Sequence, residues 1–221
     1  AAVVAVGADL GRAHDGDADR LIAVDERGEL VDGDAVMGIC ALQRLAAGTL
    51  RNNVLVATVM SNGGLERALN QAGGRMVRTP VGDRHVFEAM EREDAVIGGE
   101  QSGHIIFRDR ATTGDGLLTA IELVRAVREA GEPLSELAGR IPRLPQVMIN
   151  SAVRRRDDWE GDAEFLSAIR RATDRMGDRG RVLVRPSGTE ARIRIMVEGD
   201  DPAEIEEMAR ELATLAEARL N

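Results

Sequence analysis

Short apolar runs alternate with helically spaced apolar positions along the middle of the chain. The run over residues 54–59, apolar at every position but Thr58, predicts a strand buried on both faces. Further strands are predicted over 75–79 and 95–98, and helices over 62–72, 87–93 and 115–130. Strands that alternate with helices favour a βαβ layout with a largely parallel sheet.

The first 30 residues show a different pattern. Small apolar residues over 2–7 predict a strand, a charged loop follows, and 21–31 predict a hairpin that turns at 26–28. No helix is predicted to cover these strands, and two or three strands alone are marginally stable. We therefore interpret this segment as the end of a domain whose beginning lies outside the chain. Asp32 then predicts the cap of a helix.

Pro142 and Pro145 predict a domain boundary. Beyond them, the pattern predicts strands over 147–153, 182–185 and 193–197, and helices over 163–176 and 203–220. The predicted fold is α/β: a remnant of one α/β domain, a complete βαβ-type domain with a mixed sheet, and a small C-terminal α+β domain.

Composition excludes several kinds of chemistry. All 29 basic residues are Arg and there is no Tyr, so a Schiff-base lysine, a phosphate-loop lysine and a catalytic tyrosine are impossible. The net charge of −9 argues against a nucleic-acid partner. No apolar run approaches the roughly 18 residues that span a bilayer, which predicts no membrane partner. The single cysteine, Cys40, favours a reducing, cytoplasmic location.

The strongest local motif is Asp15-Gly16-Asp17-Ala18-Asp19-Arg20. Asp15, Asp17 and Asp19 alternate in an extended loop, so their carboxylates offer hard oxygen ligands for Mg²⁺ or Ca²⁺. A bound cation would relieve their mutual repulsion. A solvated acidic turn is the alternative.

Two other acidic-loop sites fit this motif poorly. An EF-hand needs glycine where Arg20 stands, and it needs helical flanks where strands are predicted. A phosphatase with Asp15 as its nucleophile would be expected to use a lysine, which the chain lacks.

The second motif, Gly98-Gly99-Glu100-Gln101-Ser102-Gly103-His104, directly follows a predicted strand. Glu100 and Ser102 suit sugar hydroxyls, and His104 suits proton transfer near neutral pH. A purely structural histidine is the alternative for His104.

The third motif, Arg185-Pro186-Ser187-Gly188-Thr189-Glu190, follows an apolar strand, with Arg194 on the next strand. Ser187, Gly188 and Thr189 offer amide and hydroxyl donors to an anion that Arg185 and Arg194 can clamp. An ordinary Ser-Gly turn is the alternative.

A fourth, weaker motif is the turn Val81-Gly82-Asp83-Arg84. It exposes Arg84 to a substrate, or it marks only a helix N-terminus with a surface arginine.

Taken together, these loops resemble those of the α-D-phosphohexomutases, in the family's order and over essentially the whole chain. By this resemblance, residues 15–20 hold Mg²⁺, 99–104 bind the sugar and 185–190 bind the substrate phosphate. Gln101 and the turn at 81–84 favour the glucosamine branch over the glucose/mannose branch. Ala191 stands where the family usually has proline, which should loosen the phosphate loop.

The family has four domains, and the first carries a phosphoserine in a Thr-Ala-Ser-His-Asn-Pro type motif. No Ser-His dipeptide occurs in this chain. The resemblance therefore implies that residues 1–34 end domain 2, 35–144 form the sugar-binding domain 3, and 145–221 form the phosphate-binding domain 4.

The implied activity is the interconversion of glucosamine 6-phosphate and glucosamine 1-phosphate for cell-wall precursors, with glucosamine 1,6-bisphosphate as the activating intermediate. Mg²⁺ would neutralise the transferring phosphate. The chain alone is expected to be inactive. The alternatives are a phosphomannomutase or phosphoglucomutase, or a non-catalytic sugar-phosphate-binding fragment, and a homodimer stays open. The implied catalytic residues are His104 and Arg20; the implied substrate-binding residues are Glu100, Ser102, Arg84, Arg185, Ser187, Gly188, Thr189 and Arg194.

Overall fold

The computed structural model of the chain describes residues 1–188 and 190–221. Its helices and strands occur largely in the predicted order. The helices are Ala2–Val6 (α1), Gly33–Ala46 (α2), Gly63–Gln71 (α3), Asp83–Arg92 (α4), Gly116–Ala130 (α5), Leu134–Ala138 (α6), Ala163–Met176 (α7) and Pro202–Arg219 (α8). The strands are Leu10–His14 (β1), Leu21–Asp25 (β2), Leu30–Val31 (β3), Val54–Thr58 (β4), Arg75–Thr79 (β5), Ile97–Gly99 (β6), Ile105–Phe107 (β7), Gln146–Ala152 (β8), Gly180–Pro186 (β9) and Arg192–Gly199 (β10). Short 3₁₀ helices span Arg51–Asn53, Arg156–Gly161 and Gly177–Arg179.

The main sheet of the first unit, residues 1–143, has the order β5-β4-β6-β7. Strand β4 runs parallel to β5 and β6, and β7 returns antiparallel to β6. Leu55 and Ala57 face one apolar core, which α2, α3 and α5 help to form, while Val54 and Val56 face a second core with α4. Because both faces are covered, β4 is apolar at every position but its last, as its sequence predicts.

The N-terminal hairpin belongs to the same unit and contributes to its core. Strands β1, β2 and β3 form a separate antiparallel sheet. Leu21, Ala23 and Val31 are buried in the cluster that holds α2 and α5. The expectation of uncovered N-terminal strands is therefore wrong, because helices from later in the chain cover the hairpin.

The predicted strand over residues 2–7 is also wrong, since this segment forms helix α1. Gly7 closes the helix in the left-handed conformation, with φ of 63°. Val3 is the one residue of α1 that is buried, and a Cβ on Gly11 of β1 would lie 2.5 Å from its Cγ2. An apolar run of small residues does not by itself distinguish a strand from a helix.

Two elements near the site differ from the prediction, one in where it begins and the other in being present at all. Helix α4 begins at Asp83, four positions before its predicted start, and Gly82 precedes it with a φ of 126° that only glycine adopts freely. Strand β7, which follows directly on the second motif, was not predicted.

The second unit, residues 144–221, packs α7 and α8 against the antiparallel sheet β8-β10-β9. Its core includes Phe165 from α7, Ile195 from β10 and Leu212 from α8. The α/β fold class is confirmed. Among the helices described, none is both long and apolar enough to cross a membrane.

Candidate functional site

The carboxyl ends of β5 and β6 bring the turn at 81–84 and the loop at 100–104 to one edge of the sheet. The Gly82 amide donates to Glu100 Oε1 over 2.9 Å. Ser102 Oγ donates to the other carboxylate oxygen over 3.3 Å. The carboxylate of Glu100 is thereby held at the edge where open α/β sheets bind ligands.

Arg84 lies in the first turn of α4, two residues after this anchor. Its Nε donates to Glu88 Oε1 over 2.8 Å, and 84% of its side chain is exposed. The hydrogen bond and charge of Glu88 raise the pKa of Arg84. Because such exposed pairs contribute little free energy, the guanidinium of Arg84 can exchange Glu88 for another anion at low cost.

The three aspartates of the first motif converge. Asp15, Asp17 and Asp19 each offer an oxygen within 4.8 Å of the others. The turn between them closes through the Ala18 amide, which donates to the Asp15 carbonyl over 3.2 Å. The Ala18 carbonyl in turn accepts from the Gly116 amide over 3.0 Å, which fastens the turn to the start of α5.

Arg20 is the cation beside this cluster. Its Nε lies 3.2 Å from Asp15 Oδ2 and 3.5 Å from Asp19 Oδ1. Desolvation raises the pKa of Asp15, but the amide and charge of Arg20, with other hydrogen bonds, outweigh it, so this pKa is lowered. Asp15 is therefore ionised at neutral pH, and the Arg20 guanidinium lies beside two of the three aspartates, Asp15 and Asp19.

The donor set fits a hard divalent cation. Asp15, Asp17 and Asp19 supply only carboxylate oxygens, which Mg²⁺ prefers. Asp19 Oδ1 is buried without a hydrogen-bond partner within the described ranges. Arg20 Nε lies 3.5 Å from this atom, so what favours a metal over a solvated turn is the repulsion among three carboxylate oxygens that lie within 4.8 Å of one another.

Backbone contacts join the aspartate loop to the second motif. Arg20 and His104 form an antiparallel β-bridge, and the Leu21 amide donates to the Gly103 carbonyl over 3.1 Å. Gly103 has a φ of 97°, and a Cβ there would lie 2.2 Å from the Leu21 carbonyl oxygen. Only glycine fits this close approach.

His104 points at the aspartates. Its Nδ1 lies 2.9 Å from Asp19 Oδ2. Its Nε2 is buried and has no hydrogen-bond partner in the part of the chain that is described. A Cβ on Gly114 would lie 2.4 Å from Nε2, so the ring is packed against that glycine. A carboxylate only accepts, so a neutral His104 carries its proton on Nδ1 and leaves the lone pair of Nε2 free.

The second motif thus presents its side chains in two directions. Glu100 accepts hydrogen bonds from Ser102 and from the Gly82 amide before α4, whereas His104 bonds to the aspartate loop. The sequence predicted one polar cluster, and it could not indicate the His104–Asp19 bond between two distant loops.

In the second unit, Arg185 of β9 and Arg194 of β10 are cross-strand partners. Burial and then the charge of Arg194 lower the pKa of Arg185. Arg194 Nε is buried and finds no partner among the residues described. Like charges directly opposite one another destabilise a sheet, so this pair favours an anion between them.

The loop that follows β9 lies next to these arginines. Ser187 is buried, and its Oγ accepts from Arg194 Nη2 over 3.4 Å. Gly188 is open, since no atom lies within 4 Å of where its Cβ would be. The predicted ligand Thr189 lies outside the described residues.

Arg156, on the 3₁₀ helix Arg156–Gly161, also contacts this loop and was not predicted as a site residue. Its Nη1 lies 2.9 Å from the Ser187 carbonyl oxygen and 2.9 Å from that of Glu190. The one signal in the sequence is the run of three arginines at 154–156, which does not indicate which of them reaches the loop.

Models of known protein families match most of each unit. Residues 32–144 match the α/β/α domain III of phosphoglucomutase/phosphomannomutase, and residues 148–215 match the C-terminal domain of the same proteins. The chain therefore belongs to the phosphoglucomutase/phosphomannomutase family, and the resemblance to phosphohexomutases is confirmed.

Curated relatives narrow the comparison. The chain is 55% identical over 219 residues to a phosphoglucosamine mutase of Symbiobacterium thermophilum, covering 99% of this chain and 49% of the relative. It is 52% identical over 218 residues to a phosphoglucosamine mutase of Nitratidesulfovibrio vulgaris, covering 99% of this chain and 48% of the relative. The chain thus spans about half the length of these relatives.

Solved structures show the same fold at lower identity. A phosphoglucomutase/phosphomannomutase family protein from Burkholderia thailandensis matches with a TM-score of 0.81 and 24% identity, over 98% of this chain and 48% of that one. An N-acetylphosphoglucosamine mutase of Aspergillus fumigatus, in complex with GlcNAc-6P and magnesium, matches with a TM-score of 0.76 and 22% identity, over 95% of this chain and 49% of that one.

Proposed function

We propose that the chain supplies the metal-, sugar- and phosphate-binding loops of a phosphoglucosamine mutase, which interconverts glucosamine 6-phosphate and glucosamine 1-phosphate in the cytoplasm. The observation that carries the proposal is the hydrogen bond between Asp19 of the acidic cluster and His104 of the sugar loop. It joins a cation site to a sugar site, as phosphoryl transfer on a sugar requires. The relatives named phosphoglucosamine mutase, more than half identical to this chain, favour glucosamine over glucose or mannose.

In the first unit, Asp15, Asp17 and Asp19 would hold Mg²⁺, which neutralises charge on the transferring phosphoryl group. Magnesium is present in the Aspergillus complex. Arg20 would stabilise the same group, since its guanidinium already lies among the carboxylates.

Glu100, Ser102 and Arg84 would bind the substrate at the carboxyl edge of the sheet. The exposed Ser102 hydroxyl and the fixed Glu100 carboxylate suit sugar hydroxyls. His104 is the proposed proton carrier, because an imidazole suits proton transfer near neutral pH and its Nδ1 bonds to Asp19 of the acidic cluster.

In the second unit, Arg185, Arg194, Ser187, Gly188 and Thr189 would bind the substrate phosphate that is not reacting. The opposed arginine pair, with its orphaned Arg194 Nε, supports this role. The family chemistry would run through glucosamine 1,6-bisphosphate and a phosphoserine, for which this chain has no Ser-His motif. The chain alone is therefore expected to bind sugar phosphate without turnover. The proposed domains are 1–34, 35–144 and 145–221.

Calorimetric titration of the 221-residue chain with Mg²⁺ and with glucosamine 6-phosphate tests this proposal. Asp17→Asn should abolish Mg²⁺ binding and leave the far-UV circular dichroism unchanged, because Asp17 is exposed. Gln71→Glu, an exposed change at the end of α3, is the control. Mg²⁺ binding that survives Asp17→Asn would reject the metal assignment. Turnover of glucosamine 6-phosphate with a trace of the bisphosphate would reject the inactivity of the chain.

A further inference from the structure

The guanidinium of Arg156 bridges both ends of the phosphate loop. Nη1 donates to the carbonyl oxygens of Ser187 and Glu190, each over 2.9 Å. Nε donates to Asp157 Oδ1 over 3.0 Å, which fixes the orientation of the guanidinium. The Arg156 side chain is only 28% exposed, although the residue belongs to a short 3₁₀ helix with no buried residue. Nη1 of Arg156 therefore binds the carbonyl groups of both Ser187 and Glu190.

These bonds determine which way the loop amides point. In a trans peptide the carbonyl and the following N–H point in opposite directions. The carbonyl of Ser187 points at Arg156, so the amide of Gly188 points away from it. Gly188 is also open to a ligand, with no atom near the position of a Cβ. An anion bound there would accept a hydrogen bond from the Gly188 amide. Arg156 determines where that N–H points, because it binds the carbonyl group of the same peptide.

The other hydrogen bonds of this loop do not fix the carbonyl groups that Arg156 binds. The Ser187 amide donates to the Arg192 carbonyl over 2.9 Å, and the Glu190 amide donates to Ser187 Oγ over 3.4 Å. Two amides are thereby fixed, but the carbonyls of Ser187 and Glu190 gain their charged donor from Arg156 alone among the described residues. Hydrogen bonds from a charged donor are about twice as strong as neutral ones.

We propose that Arg156 is a positioning residue that holds the backbone of Ser187, Gly188 and Glu190 in its anion-binding conformation. This inference rests on the proposed function only in taking a phosphomonoester as the anion. Fixing a loop before binding removes the ordering cost from the binding step. Loss of Arg156 should therefore weaken phosphate affinity without removing any group that touches the phosphate.

The test is a calorimetric titration of the 221-residue chain and its variants with glucosamine 6-phosphate. Arg156→Ala should bind at least tenfold more weakly, and Arg156→Lys should recover part of the loss because an ammonium can donate to both carbonyls. Arg155→Ala is the matched control: it removes an adjacent positive charge that pairs with Asp158 instead. Its affinity should stay within a factor of two.

Amide hydrogen exchange at Gly188, measured by NMR without ligand, gives a readout that does not depend on substrate. Arg156→Ala should speed this exchange several-fold, and Arg155→Ala should leave it unchanged. Fluorescence of Trp159, the only tryptophan, checks that the second unit of each variant is folded at the assay temperature. Unchanged exchange and unchanged affinity in a folded Arg156→Ala protein would overturn the inference.

Arg185→Ala separates this inference from the proposed function. If Arg185→Ala abolishes binding while Arg156→Ala does not weaken it, the phosphate loop stands and the role of Arg156 is rejected. If the unsubstituted chain binds no sugar phosphate but Gly188 exchange still responds to Arg156→Ala, the proposed ligand is rejected and the positioning role stands.

Discussion

Nδ1 of His104 lies 2.9 Å from Oδ2 of Asp19, across 85 positions of sequence. This bond makes the aspartate cluster and the loop at 100–104 one structural feature, because the orientation of a proposed metal ligand depends on a side chain of the other loop. Partners that orient metal ligands are often as influential as the ligands themselves.

Loss of this bond should weaken metal binding. We expect His104→Ala to lower the affinity for Mg²⁺ by roughly 10- to 100-fold, since a freed carboxylate must be ordered on binding. His104→Asn should lose less, because an amide N–H can replace the donation from Nδ1. Calorimetry with Mg²⁺ measures both. His85→Ala, an exposed histidine on α4, is the control. Equal affinities in all four proteins would show that Asp19 needs no such support.

A second prediction concerns the close contact between the two loops. Gly103→Ala places a Cβ 2.2 Å from the Leu21 carbonyl oxygen at a φ of 97°. The backbone must move or the loops must separate, so we expect the first unit to lose about 2–4 kcal/mol of unfolding free energy. Urea unfolding followed by far-UV circular dichroism measures the loss.

Gly131→Ala controls for backbone strain alone. Gly131 also has a positive φ, of 66°, but no atom lies within 4 Å of its Cβ position. This substitution should cost about 1 kcal/mol, the ordinary penalty of a left-handed alanine. Similar losses at the two glycines would contradict the close approach of the loops.

Local pattern was sufficient for most of the fold. The apolar residues of β4 and the spacing in α5 reflect burial against neighbours, so the sequence predicts them directly. Helix α1 was mistaken because Ala and Val over so short a run fit either structure. The burial of Val3 next to Gly11 is a tertiary contact that the local pattern does not contain.

In the candidate site too, the local features could be predicted from the sequence and the contacts between distant segments could not. The three motifs are local, so their residue types predict which loops carry oxygen, hydroxyl and guanidinium groups. The pairing of His104 with Asp19, and that of Arg156 with the Ser187 carbonyl, depends on tertiary folding. Arg156 was not predicted, because a side chain that donates hydrogen bonds to backbone carbonyl groups has no recognisable motif in the sequence.

A third prediction concerns the core of the second unit. Glu198 is fully buried and accepts from Arg181 Nε over 2.8 Å. Arg181→Met removes a charged donor from a buried carboxylate, so we expect a loss of about 3 kcal/mol, near the lower end for buried pairs because Gln146 also donates to Glu198. Trp159 fluorescence during urea unfolding reports this unit.

The matched control is Arg210→Met on α8. Arg210 pairs with Glu206 over 2.6 Å, with both side chains more than half exposed. An exposed helical pair contributes about 0.3–0.5 kcal/mol, so its removal should be barely measurable. A comparable loss in the two variants would show that burial does not determine the contribution of Arg181.

The last prediction is a pH dependence that Asp34 gives to the first unit. Asp34 lies in the first turn of α2 and is 3% exposed, and its Oδ2 accepts from the Asn62 amide over 2.8 Å. Burial raises the pKa of Asp34 from 3.8 to about 6, against the lowering effects of the Asn62 amide and Ser61. The folded state therefore binds the proton more tightly than the unfolded state does.

Because the pKa of Asp34 is raised in the folded state, this group stabilises the folded state fully below about pH 4. That stabilisation is lost as the pH rises through 6. Asp34→Asn does not titrate and can still accept from Asn62. Relative to the unsubstituted chain, this variant should gain up to about 3 kcal/mol between pH 4 and pH 8. Urea unfolding by far-UV circular dichroism at both pH values measures the difference, in which the other carboxylates cancel. A difference that does not change with pH would show that Asp34 titrates normally in the folded protein.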